Sequence, residues 1–354
     1  MRNVVWLTLK QHRFEVLAVS IVCIGLAAAA VIEAFRLNAL NVPPSCLTAW
    51  QGVGIAPSSG GAVDASAVRC HELAGSFFAI RGGLDMSLTQ ALLLFVPLVA
   101  GVLLGAPIAA REIEQRTASL SWVHSSSRRR WLATKMLTGI ILMVPLMTVV
   151  GLSADFLEAA SAPTLNTYAS FDLYLSRGLL DISWALAAFM GTVALATIFG
   201  RTLPAVIVAL LICLVVRESW DAGMTHVVLR PFAVRQVQAS VGGPFYDPQA
   251  DMYLYGAFYL DGKPFQGDVY QWYMDHAPTS SPQAGPTQAP TASSPSDNST
   301  SPSASVEDGP SLVRFVIPGA WYWNVVAFES GMLLLGSLLC LGVAMVSVDR
   351  RRPY

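Results

Sequence analysis

Six stretches of almost uninterrupted apolar sequence limit what this chain can fold into. A helix needs about 20 apolar residues to cross a bilayer core, and all but one of the stretches reach that length. The exception begins at residue 202, and we expect it to extend to residue 220. Because the stretches are continuously apolar rather than alternating, they favour helices over a barrel. The sequence therefore predicts an all-α membrane protein with six transmembrane helices, at residues 14–35, 88–110, 131–152, 179–199, 202–220 and 321–348.

Lys and Arg predict the orientation of these spans. Only 13% of the 354 residues are charged, against about 25% in soluble domains. If both termini lie on one side, that side carries most of the Lys and Arg residues and few carboxylates. Basic residues concentrate on the cytoplasmic side of membrane proteins. We therefore place both termini in the cytoplasm, and the net charge of −1 gives no indication of a nucleic-acid partner.

The segments between the spans are assigned from this topology. Residues 1–13 are predicted to form an interfacial helix, with an extension of the first span as the alternative. Residues 349–354 form a cytoplasmic tail. The large insertion at 221–318 is rich in aromatic residues in its first half, which predicts a small ordered cap, whereas 277–310 is dominated by Pro, Ser and Thr and predicts disorder. The other extracellular loops are residues 36–87 and 153–178.

Two cysteines share the first extracellular loop. Cys46 and Cys70 would meet oxidising conditions there, which favours a disulfide. Closing a loop of about 25 residues stabilises a fold by roughly 3 kcal/mol. The sequence Cys70-His71-Glu72 suggests a metal site as the alternative, but Gly75 stands where a zinc-protease motif needs its second histidine. We predict the disulfide and no metal site.

Small and polar residues within the spans mark places of close packing or function. Gly101 and Gly105 allow a neighbouring helix to approach closely, either within one bundle or across a dimer. Arg177 and Asp181 lie four residues apart and are expected to pair. Glu329 lies inside the last span, where a carboxylate is costly, so it is a candidate for substrate contact or gating. The alternative for Glu329 is a structural contact with water or a Ser or Thr donor.

The most distinctive pattern surrounds the charged segment between the second and third spans. It reads Ala109-Ala110-Arg111-Glu112-Ile113-Glu114-Gln115-Arg116-Thr117, then Leu120-Ser121-Trp122, Ser127-Arg128, Arg130-Trp131-Leu132 and Lys135. It resembles the type-2 ABC transporter permeases of actinobacteria, which typically read Ala-Arg-Glu-x-Glu-x-Gly-Thr, Leu-Ala-Trp and Ser-Arg-x-Arg-Trp-Leu-x-x-Lys. Arg116 stands where a Gly is common. A looser match covers Arg314-Phe315 and Phe328-Glu329-Ser330.

The resemblance implies the membrane-spanning permease subunit of an ATP-binding cassette transporter. Such a subunit pairs with a second permease copy, identical or paralogous, and with two separate ATPase subunits that bind ATP and Mg. This chain itself would bind no cofactor. Residues 111–130 would be the coupling helix seated on the ATPase, and the turn at Arg201 a second contact. The predicted ATPase-coupling residues are Glu112, Glu114, Arg116, Thr117, Trp122 and Arg201.

The residue types in this segment suit a protein interface. Glu112 and Glu114 can pair with basic residues of a partner, and Arg and Trp are favoured anchors at interfaces. The alternative is a solvated loop whose carboxylates balance Arg128–Arg130.

The sequence shows no energy source and no catalytic motif. The nearest approach to a phosphate-binding loop, Gly256 to Gly262-Lys263-Pro264, has the wrong spacing and lacks the hydroxyl that holds magnesium. We therefore expect no enzyme activity and a separate ATPase. The expected function is export of a lipophilic small molecule or drug across the bacterial plasma membrane, along a path lined by spans two and five. The alternative is a membrane receptor or scaffold, embedded in lipid, that binds a ligand through its aromatic cap.

Overall fold

The computed structural model describes residues 13–47, 65–115, 127–237, 251–260, 262–269, 271 and 311–350. Seven α-helices lie wholly within this part of the chain. They are α1 (Arg13–Ala39), α2 (Ala65–Arg81), α3 (Leu84–Glu114), α4 (Arg128–Ser161), α5 (Gly178–Phe199), α6 (Thr202–Gly223) and α7 (Tyr322–Arg350). All except α2 are long and apolar enough to cross a membrane. The predicted all-α class with six spans is therefore confirmed.

Several helices continue beyond the apolar stretches that identify them. α4 runs on to Ser161, and α6 runs on to Gly223 and passes into a π-helical turn at Met224–Val228. The added turns of α4 carry the polar residues Asp155, which is partly buried, and Glu158, which is buried. A hydropathy profile does not identify such turns, because their polar residues lower the local hydropathy. The predicted loop 36–87 contains α2. The tract 277–310, for which the sequence predicts disorder, lies outside the described residues, as do residues 1–12 and 351–354.

Helix α5 lies at the centre of the bundle. It packs against α3, α4, α6 and α7, while α1 packs mainly on α4. The most apolar part of α3 is 67% buried, whereas that of the fifth span is only 17% buried. Span five therefore presents its side to the surroundings. Span two is mostly buried. It therefore has little exposed surface with which to line the expected path between two permease copies.

The close approach of α3 to α5 depends on two glycines. A Cβ atom at Gly101 would lie 2.5 Å from the carbonyl oxygen of Ala185. At Gly105 it would lie 2.8 Å from the carbonyl oxygen of Phe189. Such distances are far below van der Waals contact. These small residues therefore serve packing within one bundle.

A four-stranded antiparallel sheet lies between α6 and α7. Its strands are ordered β1 (Val234–Val237), β4 (Ser311–Ile317), β2 (Met252–Leu260) and β3 (Lys263–Pro264). Tyr255 stacks on Phe315, with ring centroids 4.5 Å apart. The aromatic composition indicated an ordered cap without indicating strands, because β2 pairs with a strand about 50 residues later in the chain.

The two ends of the bundle differ in what they carry. We call "sheet end" the end where α6 leads into the sheet and where Cys46 and α2 lie. The opposite end, which we call the Arg201 end, holds the turn from α5 to α6. Asp349 lies at that end with the start of α4. The candidate residues divide between these two ends.

Cys46 and Cys70 form a disulfide, with their Cα atoms 5.3 Å apart. It joins the segment after α1 to α2. Because both sulfur atoms are in the disulfide, neither is a free thiolate for the metal alternative.

Replacing both disulfide cysteines with serine should lower the free energy of unfolding by roughly 3 kcal/mol, because the unfolded chain regains the freedom of the closed loop. Thermal unfolding of the purified protein in detergent checks this. Cys340→Ala, at a free cysteine, is the control and should show little change. Equal unfolding temperatures for the serine variant and the wild type would contradict the prediction.

Candidate functional site

The predicted coupling segment is anchored at both of its ends. α3 ends at Glu114 and α4 begins at Arg128, where the Ser127 side chain accepts a hydrogen bond from the Arg130 backbone N–H and so caps the helix. Residues 116–126 lie outside the described residues, and with them Arg116, Thr117 and Trp122. The structure therefore places Glu112, Glu114 and Arg201 of the predicted site.

Glu112 is directed into the bundle. Its carboxylate forms an ion pair with the Lys135 ammonium, and both residues are buried. The ammonium also lies over the Trp131 ring, 5.0 Å from its centroid. This differs from the expectation that Glu112 pairs with a basic residue of a partner. The sequence placed Glu112 and Lys135 in the same pattern but did not indicate that they meet.

Glu114 is exposed and caps the N-terminus of α6. Its Oε2 accepts hydrogen bonds from the Thr202 backbone N–H at 3.1 Å and from the Thr202 hydroxyl at 3.0 Å. A carboxylate at a helix N-terminus is favoured by the unpaired N–H groups and the helix dipole. Arg201 is exposed beside it. The end of span two and the start of span five are therefore joined, which brings two of the predicted residues together.

Further ion pairs connect helices at the Arg201 end. Arg111 donates to Glu15 at 2.9 Å, which links α3 to α1. Arg129 donates to Asp349 at 2.5 Å, which links α4 to α7. Their partners lie far away in sequence, so the sequence analysis did not find them. Each is partly exposed and contributes little stability alone, but together they fix how the helix ends meet.

Glu329 lies in α7 at the sheet end and is fully buried. The Tyr174 hydroxyl donates a hydrogen bond to Glu329 Oε1 at 3.3 Å. Burial and the nearby Glu329 charge raise the pKa of Tyr174, so the phenol remains a protonated donor. Glu329 Oε2 has no hydrogen bond from any described residue. The donor is thus a tyrosine, and not the Ser or Thr considered in the structural alternative.

More charged residues are buried beside Glu329 than the sequence analysis predicted. Arg217 of α6 is 5% exposed and Asp181 of α5 is fully buried. The Arg217 guanidinium lies over the Trp184 ring, 4.8 Å from its centroid, and Trp184 packs edge-on against Trp220. Charged residues inside apolar runs are the signal that could have identified this set.

Arg177 does not pair with Asp181, which corrects the sequence analysis. Arg177 Nε donates instead to Asp155 Oδ1 at 2.9 Å, and its two other nitrogens donate to the carbonyl oxygens of Asp172 and Thr167. Arg177 precedes the first residue of α5, so the i, i+4 relation that brings helical side chains together does not apply to it.

Comparison with known families identifies this architecture. Comparisons with curated proteins and with solved structures found no match. A family model described as ABC-2 membrane transporter related matches residues 16–224, which is more than half of the chain. The match covers five of the six spans and the whole segment between α3 and α4. Its members are membrane subunits, and the chain belongs to the ABC-2 membrane transporter related family.

Proposed function

We propose that this chain forms the translocation path of an ATP-driven exporter of lipophilic small molecules, and that residues 111–130 couple it to a separate ATPase. The family implies an ATPase partner, and the finer assignment to this segment rests on one observation. The two helices that flank the segment are joined to each other by the ion pair of Glu112 with Lys135, and α3 is joined to α6 by the hydrogen bond of Thr202 to Glu114. A force applied to the segment would therefore reach spans two, three and five directly.

In this proposal the six predicted coupling residues have two kinds of role. Arg116, Thr117 and Trp122 contact the ATPase, and the exposed Arg201 supplies the second contact. Glu112 and Glu114 hold the segment in place from the bundle side. ATP and Mg bind on the two ATPase subunits, and closure of those subunits pushes on the segment.

The exposed side of α6 supports a second permease copy as partner. Large apolar side chains cover it, among them Leu203, Ile207, Leu211 and Val215. Such a surface suits either lipid or another helix. We propose that two copies meet there, whether identical or paralogous, and that substrate passes between them and leaves at the sheet end, outside the bacterial plasma membrane.

Co-purification tests the proposal. The chain, tagged and co-expressed with its candidate ATPase, should retain the ATPase in stoichiometric amount and hydrolyse ATP. The double variant Arg116→Glu/Trp122→Ala should reduce ATPase recovery by about tenfold or more, because charged and aromatic anchors dominate interface affinity. Arg350→Gln, at an exposed arginine at the end of α7 and outside the segment, is the matched control and should retain full recovery.

The opposite outcome favours the receptor or scaffold alternative. In that case the chain elutes alone and remains folded, and the double variant changes nothing. The ligand would then be sought on the aromatic side of the sheet, where Tyr255 and Phe315 stack.

A further inference from the structure

The buried polar cluster at the sheet end contains more carboxyl groups than cations. We define this cluster as Glu329, Asp181, Arg217, Trp184 and Trp220, with the Tyr174 hydroxyl at its edge. It contains two carboxylates and one guanidinium. The other charged residues nearby do not restore the balance: Asp221 is exposed and negative, and the Arg177 guanidinium is already paired with Asp155.

The one cation in the cluster is not bound to either carboxylate. Arg217 interacts electrostatically with both Asp181 and Glu329, yet no nitrogen of Arg217 lies within 4.0 Å of a carboxylate oxygen of a described residue. Among the described residues, its Nη2 has no hydrogen-bond acceptor and neither oxygen of Asp181 has a donor. A buried carboxyl group is costly to ionise when no cation or donor is bound to it. One further cation would provide a partner for the carboxyl group with which Arg217 does not pair.

The aromatic side chains suit a cation as the missing component. Trp184 and Trp220 pack edge to face with their centroids 5.7 Å apart, and the Trp184 face already holds the Arg217 guanidinium. Aromatic faces beside a carboxylate recognise organic cations through their quadrupole. Trp220 lies beside the Glu329 carboxylate, although its indole N–H makes no hydrogen bond with a described residue.

We propose that this cluster binds one organic monocation, whose charge pairs with Glu329 while Arg217 pairs with Asp181. Two carboxylates then meet two cations, one from the chain and one from the ligand. The inference rests on the proposed function, because it names the class of molecule transported: lipophilic cations. It also assigns Arg217 as the internal cation that competes with the ligand for Glu329.

Binding of radiolabelled tetraphenylphosphonium tests this inference. The full chain with its ATPase is placed in lipid nanodiscs, and empty nanodiscs give the background from partitioning. Tetraphenylborate, an anion of the same shape, is the matched probe. We expect saturable binding of tetraphenylphosphonium alone. Saturable binding of both ions, or of neither, would overturn the proposal.

Variants of the cluster distinguish a site in which the ligand's charge pairs with Glu329 from a cluster that serves only the fold. Glu329→Gln should weaken binding by about tenfold or more, because the ligand loses its counter-charge. Arg217→Gln should strengthen it, because the competing cation is gone. The double variant Arg217→Gln/Asp181→Asn leaves Glu329 for the ligand and should retain binding. Glu33→Gln, at a buried carboxylate of α1 paired with Arg36, should change nothing.

Weaker binding in Arg217→Gln, or unchanged binding in Glu329→Gln, would show that no cation pairs with Glu329. ATPase recovery is measured on the same preparations. Full recovery without cation binding overturns this inference and leaves the proposed function, whereas loss of the ATPase in the wild type overturns the proposed function itself.

Discussion

Gly101→Val should prevent the chain from accumulating as a folded protein. The added Cβ would lie 2.5 Å from the carbonyl oxygen of Ala185 and 2.9 Å from the Cβ of Ala188. The nearest atom is backbone, so no side chain can rotate away, and α3 must move off α5. Overpacking costs about 3 kcal/mol, and this contact joins two of the most buried spans. The yield of monodisperse protein in detergent and its unfolding temperature measure the effect.

Gly336→Val on α7 is the matched control. It introduces the same β-branched side chain into a membrane-length helix, at a glycine whose added Cβ would meet nothing within 4 Å. Its yield and unfolding temperature should stay near those of the wild type. If the two variants behave alike, the valine acts through its helix propensity. The close contact of α3 with α5 would then not explain the effect of Gly101→Val.

Glu112→Leu should destabilise the fold by about 3–5 kcal/mol, because it leaves the Lys135 ammonium buried without its counter-charge. The double variant Glu112→Leu/Lys135→Met removes both charges and should recover most of that loss. Unfolding temperatures of the wild type, both single variants and the double variant form the required cycle. Equal loss in the single and double variants would show that the two charges do not stabilise each other.

Exchanging the charges of Glu112 and Lys135 distinguishes a structural role of Glu112 in the bundle from a direct contact of Glu112 with the ATPase. Glu112→Lys/Lys135→Glu keeps an ion pair at the same place but reverses its direction. If Glu112 supports the coupling segment from the bundle side, ATPase recovery should survive the exchange. A folded exchange variant that loses the ATPase would instead make Glu112 a direct contact.

The six spans follow from hydropathy because each one satisfies its backbone hydrogen bonds internally and needs no information from elsewhere in the chain. The partners of polar side chains do not follow in the same way. Glu114 and Thr202, or Glu329 and Tyr174, meet only after the helices have packed. The sequence could therefore single out Glu329, and by the same signal Arg217, as charged residues inside predicted spans, but it could not identify the residues that surround them.

The wrong pairing of Arg177 with Asp181 has the same origin. The spacing of two residues along a helix predicts a contact only if both lie within the helix, and the start of α5 excludes Arg177. Cys46 and Cys70 were a simpler case, since two cysteines in one short loop leave few alternatives.

The hydrogen bonds from Thr202 to Glu114 fix the start of α6, so that the helix can tilt about this point. One end is hydrogen-bonded to the tip of α3, the other end leads into the sheet, and much of the apolar surface between them is exposed. A small tilt about the hydrogen-bonded end would sweep the far end through a larger arc and carry Arg217 with it. A displacement too small to disturb the packed pair of α3 and α5 would then be magnified at the opposite face of the membrane.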